Sequence, residues 1–115
     1  MLKLPPPPVP QRLREMLEDY PEHIQELQRS LNLVVEKPSI GTPPFEVAIW
    51  ALEDELGSFI DEAREELHAA EASGDAVAIE RAKAKKFLMG CARLQGIHDV
   101  DDLWSYFQAN SGAFR

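Results

Sequence analysis

Glu65 and His68 stand three residues apart in the run Glu65-Glu66-Leu67-His68. On a helix that spacing stacks a carboxylate and an imidazole on one face, which is half of the di-iron arrangement of some four-helix bundles. Such a site needs the pair turned inward, a second like pair and further carboxylates. Stepping about 100° per residue puts Glu65 about 180° and His68 about 120° from Leu56 on the apolar seam, which is the solvent side. The other histidines do not complete the set, because His98 follows Gln95 and His23 follows Tyr20 at that spacing. A solvated helix face is the plainer reading, and no cofactor or metal is expected. A metal-binding helical bundle ranks third among the functional readings.

Other chemistry is equally thin. Cys91 falls on an apolar arc, where a thiol behaves as a small hydrophobe. Asp99-Val-Asp-Asp lacks the remaining positions and the glycine of a calcium loop. No phosphate-binding glycine loop, dinucleotide fingerprint or serine elbow occurs. The basic residues Arg81, Lys83, Lys85 and Lys86 point in several directions and carry no interleaved aromatics, so they offer no stacking platform for nucleic acid. No catalytic residue is assigned, and the chain is read as non-enzymatic.

Two features suit protein recognition better. Pro7-Pro8-Val9-Pro10-Gln11-Arg12 has the proline spacing and trailing base read by aromatic grooves that bind polyproline II. Pro7, Pro10 and Arg12 are its candidate contacts, and the plainer reading is a stiff strap on the chain's own helices or on a second subunit. Val100, Leu103, Trp104 and Phe107 occupy i, i+3, i+4 and i+7, the anchor spacing of a helix lying in a hydrophobic groove. The same spacing serves a helix that closes its own fold. Trp50, one residue past the seam position Ile49, is a further half-exposed candidate.

The elements that position these residues are helical. Leu13, Leu17, Tyr20, Ile24, Leu27, Leu31 and Val34 alternate at spacings of four and three, a heptad seam. Pro21 predicts either a kink or two helices meeting near Tyr20. Residues 36–44 (EKPSIGTPP) read as a linker, with Thr42 capping a second helix and Pro43 at its first position. Phe45, Ile49, Leu52, Leu56, Phe59 and Ala63 continue the alternation. Gly74 suits a left-handed helix end and Asp75 the next cap. The third helix runs to about Gln95. Its apolar arc, centred on Phe87 and flanked by Gly90, Leu94 and Cys91, predicts burial against two neighbours. Asp99 is expected to cap a short fourth helix.

The expected fold is all-α: an antiparallel hairpin or bundle of three long helices plus a short C-terminal helix. A proline-rich arm (1–9), one helical domain (10–108) and a flexible tail (109–115) complete the organisation. All nine prolines precede residue 45, which leaves the second half free for continuous helices.

Composition narrows the function. The net charge is −8, which opposes direct binding to nucleic acid or anionic lipid. No apolar run reaches the roughly 18 residues of a membrane span. A single cysteine precludes an internal disulfide, and with no apolar leader in MLKLPPPPVP a cytoplasmic setting is expected. Residues 42–72 hold nine acids and one base, whereas 75–95 hold five bases and two acids, a pattern that favours pairing of the two helices. The expected function is a protein-interaction or assembly adaptor that self-associates as a homodimer or larger multimer. The alternative is an acidic inhibitor imitating nucleic-acid charge.

Overall fold

The computed structural model describes residues 5–37 and 41–114. The first four residues of the arm, residues 38–40 of the linker and the last residue of the tail lie outside them. Among the described residues all regular structure is helical: α1 (Gln11–Met16), α2 (Pro21–Glu36), α3 (Pro44–Ser73), α4 (Ala76–Gln95), α5 (Asp101–Ala109) and a closing 3-10 turn (Ser111–Phe114). Two of these, α3 and α4, are long, and they pack along each other. None of them is long and apolar enough to cross a membrane.

The expected first long helix is two. Its α1 part ends at Leu17, and the backbone turns through Tyr20, whose carbonyl accepts hydrogen bonds from His23 and Ile24 at 3.0 and 3.3 Å. Pro21 then opens α2 from its first turn, where a missing N–H is no loss. The apolar phase survives because the break keeps Leu13, Leu17, Leu27 and Leu31 all buried.

The start of α3 is also displaced. Thr42 makes no capping bond, and Pro43 is the residue before the helix rather than its first turn. The cause is steric: a residue preceding proline is excluded from the helical region, and Pro43 sits at φ −56°, ψ 136°. The helix therefore begins one residue later, at Pro44. Between α3 and α4, Gly74 adopts a left-handed φ of 72°. Asp75 caps α4 there, accepting from the Val77 and Ala78 amides.

Asp99 does not cap α5. Val100 precedes that helix, and the Asp102 carboxylate accepts from the Leu103 amide at 2.9 Å and from the Gln11 amide at 3.1 Å. Asp102 thus ties the start of α1 to the start of α5.

The core joins Leu13 and Leu17 of the α1 segment, Leu27 and Leu31 of α2, Leu52, Leu56 and Phe59 of α3, Met89 and Ala92 of α4, and Leu103 of α5. Here the expectation for α4 is overturned. Its buried stripe is Ala82, Met89 and Ala92, whereas Phe87 and Leu94 are 75% and 68% exposed. Small residues face inward because the neighbouring chain comes close. At Gly96 an added Cβ would overlap the Leu13 side chain and lie 2.7 Å from the Ala92 carbonyl oxygen. The molecule measures 55 × 23 × 22 Å, with a radius of gyration of 16.3 Å. A compact domain of this length would have about 13 Å, so much helix surface has no internal neighbour.

Candidate partner-binding surface

Residues 5–10 are hydrogen-bonded to and packed on the chain's own helices. Pro7 and Pro10 are buried, and Gln28 Nε2 donates to the Pro7 carbonyl at 2.7 Å. Arg14 Nε donates to the Val9 carbonyl at 3.0 Å, and the Tyr106 hydroxyl donates to the Pro5 carbonyl at 2.7 Å. Burial pushes the Tyr106 hydroxyl pKa upward, which keeps that donor protonated. These bonds use the carbonyls that polyproline II leaves free. Of the three candidates in this segment, only Arg12 is exposed.

Helix α5 splits its anchors. Leu103 and Phe107 are buried in the chain's own core and Val100 is half-buried, while Trp104 remains 48% exposed. The Trp104 ring stands edge-on to Phe45, with centroids 4.9 Å apart. Trp50, on α3, is 55% exposed. The i, i+3, i+4, i+7 pattern is therefore spent mostly inward, and the two tryptophans are the outward remainder.

A further apolar exposure lies on α4. Leu67 of α3 with Lys83, Lys86, Phe87, Gly90, Cys91 and Leu94 of α4 lines an open groove of about 530 Å³. Its floor is apolar and its rim is cationic. One turn beyond, Glu53, Arg93, Leu94, Ile97 and His98 border a smaller depression. The sequence held one signal for this: Lys83 sits within the apolar arc of α4, as a residue turned to solvent would.

Lys85 marks the opposite side of the pair. Its Nζ is 2.8 Å from Glu66 and 3.7 Å from Glu62, and it stands 5.4 Å from the Tyr20 ring centroid. Burial alone would lower its pKa. The hydrogen bond to Glu66 and the charges of Glu66 and Glu62 outweigh that and hold the ammonium above its ordinary value. Nearby, His23 packs 4.3 Å from the Phe59 ring with its Nε2 buried and unpartnered among the described residues.

Glu65 and His68 both lie exposed on α3. Among the described residues no three His, Cys, Asp or Glu side chains come together as a metal ion requires.

No protein-family model, no curated protein and no solved structure matches this chain.

Proposed function

We propose that this chain is a non-enzymatic assembly protein: an antiparallel helical hairpin of α3 and α4, braced by α1, α2, α5 and the proline arm, that binds another polypeptide and self-associates. The observation that carries this reading is the exposed apolar surface of α4. Contiguous exposed apolar groups beside a polar rim are characteristic of surfaces that meet another chain. A cytoplasmic setting fits the single thiol, Cys91. The test is the native mass by light scattering at low and high salt. A multimer at both supports burial of apolar faces, while a monomer at both removes self-association.

The acidic-inhibitor reading keeps one supporting observation: Asp61, Glu65 and Glu71 are exposed on α3. Against it, Lys85 engages Glu62 and Glu66 and so neutralises part of the array. Binding to a basic partner that weakens steeply as salt rises would favour mimicry over apolar docking.

A further inference from the structure

We propose that His23 is a proton-operated latch: neutral, it holds the turn between α1 and α2 down on α3, and protonated, it lets that turn lift.

His23 is 6% exposed, the one buried polar or charged residue among those described. Its ring lies 4.3 Å from that of Phe59 on α3 and 5.7 Å from that of Tyr20 in the turn. Nε2 is buried and has no partner among the described residues. Buried polar groups nearly always have one, so an orphan calls for a physical reason. For packing alone, phenylalanine would serve this place better. What an imidazole adds is a charge that changes between about pH 5 and pH 8.

A neutral ring donates through one nitrogen and accepts through the other, whereas a protonated ring donates through both. Protonation in place would leave a charged N–H donor beside Phe59 with nothing to accept it. Burying an unpaired charge is strongly unfavourable. Anions that could take that charge line an open depression of about 330 Å³ which His23 also borders: Asp19 of the turn, Glu22 of α2, and Glu62 and Glu66 of α3. Glu26 adds a carboxylate one turn further along α2. Lys85 of α4 brings a cation to the same depression, 2.8 Å from Glu66 and 3.7 Å from Glu62, and the carboxylates still outnumber it. A protonated ring is therefore favoured outside the core.

The turn is built to move with it. The helical ladder is already interrupted there, because Pro21 has no N–H and Tyr20 lies outside both helices. Its closure rests on the His23 and Ile24 amides donating to the Tyr20 carbonyl and on the ring clamped between Tyr20 and Phe59. The open form binds the proton more readily. Closure is thus fully present above the ordinary histidine value of about 6.5 and weakens as pH falls below it. Tyr20, Glu66 and Lys85 also border the depression between α3 and α4 that Ala69, Val77 and Arg81 line. Lifting the turn draws Tyr20 away from the Lys85 ammonium, 5.4 Å from its ring, and so uncovers part of the α3–α4 hairpin in acid.

The test is amide hydrogen exchange on the full chain, corrected for intrinsic rates, for wild type, His23→Phe and His23→Gln. With an open-state histidine titrating at about 6.5, opening rises about tenfold between about pH 7.5 and about pH 5.5. The expected result in wild type is protection of the Ile24 and Gln25 amides about tenfold lower at the acid value, with little change at the Met89 amide of α4. Neither variant can take the proton at position 23, so neither should show the loss. His68 and His98 are exposed and remain in both variants as the internal control. Equal protection of α2 at both pH values would overturn the latch, as would an acid loss that persists in both variants. A loss equally large at Met89 would also overturn it, as general acid unfolding with no local hinge.

Discussion

Two glycines test the packing logic of the fold, because the same substitution should act with opposite sign at each. Gly57 lies in the interior of α3, and a Cβ there would come 4.0 Å from Arg93 Nε, an ordinary contact with a flexible side-chain end. Gly57→Ala therefore recovers helix propensity of about 1 kcal/mol. For a domain of this size that raises Tm by roughly 4 °C. Gly96 is different. It has ordinary helical backbone angles, φ −69° and ψ −17°, so conformational freedom is not why glycine stands there. The added methyl would enter space held by Leu13, which is fully buried and has no open side to move toward. Overpacking of this kind costs about 1–3 kcal/mol, so Gly96→Ala should lower Tm by several degrees or more. Thermal unfolding followed by circular dichroism, at one protein concentration, measures both. A Gly96→Ala protein as stable as Gly57→Ala would refute the argument, since it would mean that α1 does not press against the end of α4.

His23→Phe should raise stability by about 1 kcal/mol in urea unfolding, because it keeps the ring against Phe59 and removes a buried nitrogen without a partner; a destabilised variant would show that Nε2 is paired in solution. Asp75→Ala should cost about 1 kcal/mol by stripping the acceptor of the Val77 and Ala78 amides, read as a lower urea midpoint, with Asp75→Asn retaining most of it. Lys85 carries a folded pKa raised above its ordinary value of 10.5, so its stabilising effect is fully present below that value and is lost as pH rises through the folded one. Lys85→Met should therefore flatten the alkaline end of the stability profile, and an unchanged alkaline slope would show that the Glu62–Lys85–Glu66 cluster is not formed.

What was legible in the sequence was local. Gly74 and Asp75 declare a helix end and a helix start through their own backbone and side-chain chemistry, and both stand where that chemistry places them. The heptad leucines of α2 and α3 identify core positions, because a seven-residue apolar repeat has one reading on a helix. Pro21 was ambiguous since a proline fits equally at a kink and at a first turn, and only the turn at Tyr20 decides between them. Thr42 and Asp99 failed for related reasons. A good capping residue caps only if the backbone beyond it can enter the helix, and Pro43 before Pro44 cannot. At α5 the carboxylate one turn inside took the work assigned to Asp99.

On α4 the observed face is the reverse of the expected one, because hydrophobicity gives the width of an arc, while residue size decides which edge of it turns inward. Phe87 and Leu94 outweigh Ala82 and Ala92 in any apolar count. α3 and the α1 segment pack along α4, however, and close approach selects the small side: Ala82, Ala92 and Gly96 inward, with Met89 filling the remaining space. The same reasoning bears on α5, where Leu103 and Phe107 fill the core and Trp104 is left at its edge beside Phe45. Along α4, then, the small side chains stand at the internal contacts and Phe87 and Leu94 stand outside, divided by neighbour distance. The bulky ones remain on the side of α4 that the chain's other described elements do not cover.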